Sequence, residues 1–417
     1  MIKNIIIITG NAGSAFFLNE LKFVGNYYDA VYIIDFSGDQ AIGDWIAEKY
    51  GYNYINCKMH VLQTLRWSYI RDFASWLNND YVRKEIAQNI EASIKGIKRL
   101  CYILFYGIFC VHGKKAIDKV VELTDGPIDL YSYWLSRPAF LAAQYNMNRM
   151  GRIRHIISRA HGYDLYVERN TMNYLPFRKF ADSNIDVIYF ISEHGKNYYK
   201  SRYQEYGLDM KAEKKIARLG VFDSGHKKNV VGKNEIIFVS CSSIIPVKRV
   251  DLIIDVISEL SHENVRWIHF GEGKLKRELR KKCNKKMKHA KYVFYGEIDN
   301  KKLLLEYQKL DADFFINLSD SEGIPVSIME AMSFGIPVIA RNVGGIQEIV
   351  NAGNGLLLER DDPVGIAKEI DQFLDNIDQN GNFYNSLCRK AYETWDERYN
   401  AEVNYRLFYE EIAKIEG

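Results

Sequence analysis

The sequence predicts an α/β protein made of two doubly wound domains with a cleft between them. Three observations carry that expectation. An apolar run at Ile5–Thr9, a glycine-containing turn at Gly10–Ser14 and a second apolar run at Ala30–Phe36 form the β-turn-α-β opening of a parallel sheet. A polar stretch with two glycines, residues 223–234, is followed by a fresh apolar strand at Ile236–Ser240 and then a helix. A strand–loop–helix–strand–loop–helix unit fills Asp313–Val350.

Composition sets the outer limits. A chain of 417 residues has room for two or three ordinary domains. Apolar residues at 47% and charged residues at 26% describe a folded, soluble-type chain rather than a disordered one. A net charge of +3 argues against a dedicated nucleic-acid binder. The six cysteines are dispersed and form no C-x-x-C pair, which argues against a zinc site or a disulfide framework and fits a reducing compartment. No signal peptide and no apolar run of transmembrane length is read, so the expected location is cytoplasmic.

In the first domain, Phe16, Phe17, Leu21 and Phe23 mark a helix after the Gly10–Gly13 turn. That turn can cradle a phosphate or be a tight turn with no ligand, and Gly-x-x-Gly alone does not choose. Residues 58–120 read as a helical, aromatic-rich region. Its apolar segment Leu100–Val111 has Lys95, Lys98 and Arg99 before it and Lys114 and Lys115 after it. Two readings stay open: a membrane-surface element that meets anionic lipid, or a buried helix with solvated ends. Strands are expected at Asp129–Trp134, Arg154–Ala160 and Val187–Ser192, and at Ile216–Val221 as the last of the domain. His161 stands at the carboxyl end of the second of these, where a doubly wound sheet binds its ligand. The boundaries expected are 1–222, a linker at 223–234, a second domain at 235–391, and a terminal helix at 392–417.

In the second domain, Val250, Leu252, Ile253, Val256, Ile257 and Leu260 fall on one helical face. Lys248 and Arg249 therefore stand at a loop-to-helix junction. Cations there oppose the helix dipole, so an anion such as a diphosphate is wanted. Strands at Arg266–Phe270 and Tyr292–Gly296 follow. Between them, Lys274–Lys291 carries ten Lys or Arg in eighteen residues, with Glu278 as the single acid. It reads as a solvated helix or as a patch for an anionic membrane surface; no aromatic interleaving supports nucleic acid.

The central unit holds the chemistry. Phe314–Leu318 is a strand, Ser319–Gly323 a turn, and Pro325 opens a helix that Gly335 and Pro337 close. Glu322 lies in the loop and Glu330 inside the helix. A carboxylate in the loop can accept hydrogen bonds from sugar hydroxyls, and one in the helix can grip the adjacent hydroxyls of a ribose.

The Glu322-Gly323-Ile324-Pro325 segment, then Glu330-Ala331-Met332, the Gly335–Ile339 strand and the Gly344–Ile349 turn closely resemble the donor-binding signature of family 4 glycosyltransferases. Those are retaining enzymes of the two-domain GT-B fold, with two Rossmann-like domains facing a central cleft. The resemblance covers residues 236–359, and in the first domain it rests on 1–36 and 154–221. It implies a hexosyltransferase-type enzyme moving a sugar from a nucleotide-diphosphate sugar to an acceptor hydroxyl. Lys248, Arg249 and the backbone amides around the Gly323-Ile324-Pro325-Val326 segment would meet the donor. Glu322 would orient its sugar and Glu330 its ribose, and the loop at Ile298 would border the base. Gly13 would approach the diphosphate from the first domain. Ser158–Asp164 resembles the family segment that places His161 beside the reacting carbon. Position 242 departs from the pattern: the family has Arg where this chain has Ser242, so Arg249 takes over part of that charge or the diphosphate is held less tightly. The family uses no cofactor and no metal is implied. Partners expected are the donor, a saccharide acceptor that could be polyprenyl-linked, and an anionic membrane surface on the inner face of the plasma membrane; nucleic acid is not among them. The setting implied is bacterial capsule, exopolysaccharide or O-antigen synthesis. Alternatives are an inactive nucleotide-sugar-binding regulator, a GT-B sugar-nucleotide epimerase, and an NAD oxidoreductase using the Gly10–Gly13 turn.

Overall fold

The structure, a computed structural model, describes residues 3–58, 66–91, 93–147, 151–170, 172–205, 210–225 and 235–415. Most of the expected linker, 226–234, lies outside the described residues, as do 59–65 and 92 of the aromatic-rich region. The chain forms two compact units, Met1–Ala217 with Tyr405–Gly417, and Arg218–Asn404.

The first unit is built on strands β1 (Asn4–Thr9), β2 (Ala30–Asp35), β3 (Asn53–Asn56), β4 (Ile128–Ser132), β5 (Ile153–Ala160), β6 (Val187–Phe190) and β7 (Glu213–Ile216). They form one parallel sheet in the order β3-β2-β1-β4-β5-β6-β7. Every residue of β1 is buried, as expected of a central strand covered on both faces. Ile6 and Ile8 join a core containing Phe109, Phe140 and Phe177. Ile5 and Ile7 point the other way, to Phe17, Tyr131 and Phe408.

The second unit carries β8 (Ile236–Cys241), β9 (Val265–Phe270), β10 (Ala290–Gly296), β11 (Phe314–Asn317), β12 (Val338–Arg341) and β13 (Gly355–Leu358). They make a second parallel sheet, ordered β10-β9-β8-β11-β12-β13. In each sheet the winding reverses once, between β1 and β4 and between β8 and β11. Loops diverge at such a reversal and leave room for a ligand at the carboxyl ends of the strands.

Two local expectations differ from the structure, the last strand of the first unit and the terminal helix; one edge strand goes unannounced, and the aromatic-rich region is helical as expected. The last strand of the first unit is Glu213–Ile216 rather than Ile216–Val221. It is an edge strand, and Lys214 and Lys215 give it the charge that such an edge tolerates and an apolar search overlooks. The edge strand β3, with an asparagine at each end, has no apolar run to announce it. Residues 66–123 are three helices, Trp67–Leu77, Asp80–Asn89 and the 30-residue Ile94–Leu123. The terminal helix is broken at Asn400 into Gly381–Tyr399 and Ala401–Lys414. There Val221 pairs with the backbone on both sides, donating to Tyr399 O at 3.0 Å and accepting from Ala401 N at 3.0 Å. A Cβ on neighbouring Gly220 would run into the same backbone.

The C-terminal segment is pinned inside the first unit. Arg159 and Glu20 form a fully buried ion pair. Tyr409 donates to Glu20 Oε1 at 2.9 Å, and the Arg159 guanidinium lies 3.9 Å over the Phe408 ring. Tyr409→Phe removes one hydrogen bond to a buried carboxylate and is expected to cost about 1.5–3 kcal/mol, read as a lower urea midpoint.

Candidate active site

The reversal in the second sheet brings two loops together. After β8 the chain passes through a 3-10 turn at Pro246–Lys248 and enters the helix Val250–Glu259 through Arg249 at φ 46°. After β11 it runs through Leu318–Glu322. The Asp320 amide donates to Val247 O at 2.9 Å and ties the loops. Across this junction Lys248 Nζ reaches both oxygens of Glu322, at 2.7 and 2.9 Å. The Glu322 side chain is 8% exposed and that of Lys248 26%. Asn317 Nδ2 stands 3.4 Å from the same carboxylate.

Arg249 does not join this pair. Its guanidinium is taken by Asp320 at 3.0 Å and Asp251 at 3.4 Å, so its charge is already matched. Arg341, at the carboxyl end of β12, also holds Asp320, at 2.6 Å. Neither Arg341 nor Asp320 is singled out by the sequence reading. A cation at a strand's carboxyl end was the available signal for Arg341.

Glu330 sits on the buried side of the helix Val326–Ser333. Burial pushes its carboxyl up to about 7, opposed by a hydrogen bond from Asn300, whose Nδ2 lies 2.6 Å from Oε1. Nothing local in the sequence marks Asn300, which opens a helix 30 residues earlier. The neighbouring Cys241 thiol is pushed up to about 12, by burial first and by Glu330 second.

Between the two acids, Ile324 and Pro325 are buried and Gly323 and Val326 are half-buried. Among the described residues, the amides of Gly323, Ile324 and Val326 have no hydrogen-bond partner. Three free N–H groups at a helix start are donors for an anion. Gly344, at φ 58°, and Gly345 back this loop so closely that a Cβ on either would strike the Glu322 or Gly323 carbonyl. Gly344→Ala is therefore expected to displace the Glu322 loop, lowering stability by about 1–3 kcal/mol and weakening donor binding; a thermal melt with and without donor reads both.

Ser242 is half-buried, and its amide donates to Phe270 O at 3.0 Å. Ile298 is half-buried against the core cluster that holds Phe270 and Tyr307. Asp311-Ala312-Asp313 has the Asp-x-Asp spacing of a metal-binding pair, but its second acid is structural, since Asp313 Oδ2 accepts from the Ile237 amide at 2.8 Å. Among the described residues, no three His, Cys, Asp or Glu side chains assemble as a metal site. In the basic run, Lys282 and Lys286 pair with Asp255, Lys276 with Glu272 and Lys291 with Glu235. Among the described residues, four of the ten cations are thus paired with neighbouring acids.

In the first unit, the Gly10–Gly13 turn is closed by its own side chains: the Gly13 amide donates to Asn11 Oδ1 at 3.1 Å. The acid at the end of β2 is Asp35, fully buried. It accepts from the Ala12 amide at 3.1 Å and from the Tyr54 hydroxyl at 2.8 Å. This is the position where a dinucleotide fold keeps an acid for ribose, and here it holds the turn instead. His161 follows β5, 7% exposed. Its amide donates to Asp164 Oδ1 at 2.9 Å. Its ring lies against Trp134, with centroids 4.2 Å apart, and Tyr133, at 4.9 Å. Among the described residues neither ring nitrogen has a hydrogen-bond partner, and Nδ1 is 3.8 Å from Asp164. Among the described residues no helix is long and apolar enough to cross a membrane.

Comparison with known proteins agrees with this geometry. Residues 221–393, most of the second unit, match the family model described as glycosyl transferases group 1. An uncharacterized glycosyltransferase of Methanocaldococcus jannaschii is 26% identical over 275 residues, 65% of this chain and 72% of that one. An O-antigen biosynthesis glycosyltransferase of Escherichia coli, WbnH, is 33% identical over 132 residues, 31% of this chain and 35% of its own. Among solved structures, the lipopolysaccharide outer core galactosyltransferase WaaB superposes with a TM-score of 0.67 at 13% identity, covering 99% of both chains. Anabaena HepE in complex with UDP-glucose does so at 0.65 and 15% identity, over 99% of this chain and 100% of that one. Two parallel Rossmann-like sheets of seven and six strands are the architecture these structures share. By the family match over residues 221–393 the second unit is a glycosyl transferases group 1 domain, and the two-sheet architecture of the chain is the GT-B fold of the glycosyltransferase structures it resembles.

Proposed function

We propose that the chain transfers a sugar from a nucleoside-diphosphate sugar to a hydroxyl of a lipid-linked saccharide, at the cytoplasmic face of a membrane, during surface-polysaccharide synthesis. The observation that carries the donor half is the Lys248–Glu322 pair beside three free amides. The leaving group is a diphosphate, so the charge to be stabilised at the transition state is phosphate oxygen. Lys248 and the amides of Gly323, Ile324 and Val326 are the donors suited to it. When Lys248 turns to phosphate, Glu322 loses its counter-ion and becomes an acceptor for hydroxyls of the transferred sugar. Glu330 takes the ribose hydroxyls. The glycosidic carbon loses its bond to the phosphate oxygen and gains one to the acceptor oxygen on the same face. The acceptor proton passes to the departing phosphate, so the reaction needs no separate base. His161 offers unpartnered ring nitrogens to a sugar hydroxyl. Arg249 is assigned to building the loop rather than to the diphosphate, because Asp320 and Asp251 already match its charge.

The surface-polysaccharide setting is supported by relatives whose names concern O-antigen and colanic acid biosynthesis in enteric bacteria. The test is a transfer assay without added metal, using candidate nucleotide sugars and membrane-extracted lipid acceptors. Acceptor-dependent release of nucleoside diphosphate and a product of unchanged anomeric configuration by NMR are expected. Donor isomerisation without acceptor would make the chain an epimerase instead.

A further inference from the structure

A cavity of about 320 Å³ opens in the first unit at the carboxyl edge of its sheet, beside Gly10 after β1 and Trp134 after β4. This is the point where that sheet's order reverses. Its walls are chiefly rings: Phe36, Phe105, Phe109, Trp134 and Tyr163. Phe36 and Phe109 stack with centroids 3.8 Å apart. The charged group in the lining is Arg137, whose guanidinium stands 4.7 Å over Phe105 and 5.3 Å over Phe109. Among the described residues no carboxylate pairs with it. An uncompensated guanidinium framed by aromatic planes selects an anion attached to something apolar.

The apolar surface does not stop at the rim. Phe105 is 39% exposed and belongs to the helix Ile94–Leu123. Along the outer face of that helix, Cys101, Ile97 and Ile94 follow at spacings of four, four and three residues, and all are exposed. Ile97 is 62% exposed and Ile94 76%. At about 1.5 Å per residue the track from Phe105 to Ile94 is roughly 16 Å long. Exposed Lys95 and Lys98 flank its far end, as they would at a headgroup boundary.

We infer that the cavity and the track form one binding site for a phosphorylated isoprenoid-type lipid, with its phosphate on Arg137 and its chain running from Phe105 to Ile94. A plain membrane surface would account for the track and leave a ring-walled cavity with a lone cation unexplained. A water-soluble sugar phosphate would account for the cavity and leave the track unexplained. Trp134 is shared between the cavity wall and the His161 ring, so the sugar borne by that phosphate emerges next to His161. The inference rests on the reading of the acceptor as lipid-linked, and names the residues and the chemistry that recognise it.

The test uses the full chain and farnesyl diphosphate as probe, with an excess of UDP, GDP and ADP together to occupy the donor side. Binding is followed by quenching of tryptophan fluorescence and checked by calorimetry. Farnesyl diphosphate is expected to bind at least about tenfold tighter than either farnesol or inorganic pyrophosphate. Arg137→Gln and the surface change Ile97→Ser are each expected to weaken it by about tenfold or more, while the thermal shift produced by nucleoside diphosphate stays at its wild-type size. That unchanged shift shows both variants folded and leaves the donor reading intact. Equal affinity of wild type and Arg137→Gln, or pyrophosphate or farnesol binding as tightly as farnesyl diphosphate, would overturn the inference. Loss of the nucleotide shift in the wild type would be a different failure, that of the donor site.

Discussion

Replacing Lys248 by alanine is expected to lower kcat/KM by about a thousandfold while leaving a folded protein. Removing one preorganised donor to a developing oxyanion costs about 10²–10³ in rate, and Lys248 carries a full charge. The same substitution strips Glu322 of its counter-ion. With Glu322 8% exposed and Lys248 26%, the pair is only partly screened by water. Breaking it is expected to destabilise the protein by about 1–3 kcal/mol, less than the cost of a fully buried pair. The double variant Lys248→Ala, Glu322→Gln separates the two effects. It is expected to regain most of the lost urea midpoint, because no charge is left unpaired, and to remain inactive. A Lys248→Ala enzyme within about tenfold of wild type would remove Lys248 from transition-state stabilisation.

Glu330→Gln is expected to make the unliganded protein more stable at pH 8 and to impair donor binding. The sign follows from burial. The Glu330 carboxyl, ordinarily near 4.5, is raised to about 7 in the folded chain. Between those values the folded state holds a proton that the unfolded state has lost. Stability contributed by this residue therefore falls as pH rises from about 4.5 to about 7, and stays low above that. The difference of about 2.5 units corresponds to at most about 3–4 kcal/mol, which the neutral amide does not lose. Gln keeps an oxygen for Asn300, so the hydrogen bond at 2.6 Å in the wild type has a substitute. The ribose contact does not survive as well, since hydroxyls bind a carboxylate more strongly than an amide. A loss of about 1.5–3 kcal/mol in donor affinity is expected. In the wild type, affinity for a nucleotide sugar should rise with pH through about 7 as Glu330 ionises, and Glu330→Gln should flatten that profile. A nucleotide sugar is the right ligand because its diphosphate does not titrate in this range. Denaturant melts at pH 5 and pH 8, with calorimetry across the same interval, measure both effects.

What the sequence reveals here follows a physical division. Strands such as Ile5–Thr9, Ile236–Cys241 and Phe314–Asn317 are legible because a central parallel strand is apolar on both faces. The helix at Val326–Ser333 is legible because Pro325 and Gly335 bracket it. Strand β7 is not, because an edge carries charge. The break at Asn400 is not, because its cause is the Val221 backbone, some 180 residues away in sequence. The candidate site divides in the same way. Strand ends and helix starts single out Lys248, Arg249 and Glu322 as residues at a ligand-binding edge, whereas Glu330, inside its helix, is marked by the family resemblance. Pairing is a tertiary matter: that Lys248 meets Glu322, that Arg249 and Arg341 share Asp320, and that Asn300 holds Glu330 all depend on which loops the sheet order brings together. The apolar segment Leu100–Val111 shows the limit most plainly. Ile103, Tyr106 and Phe109 face the core, whereas Phe105 of the same helix is exposed. Composition alone leaves a buried helix and a surface-seeking one as rivals; the helix buries one face and exposes Phe105, Ile97 and Ile94 on another.

The most direct test of the donor site is a calorimetric titration, without added metal, of UDP-, GDP- and ADP-sugars and of NAD into wild type and Glu330→Gln. One nucleotide sugar is expected to bind the wild type, to bind the variant at least about tenfold more weakly, and NAD to bind neither. Equal affinity in both proteins, or binding of NAD alone, would contradict a nucleotide-sugar site built on Lys248, Glu322 and Glu330.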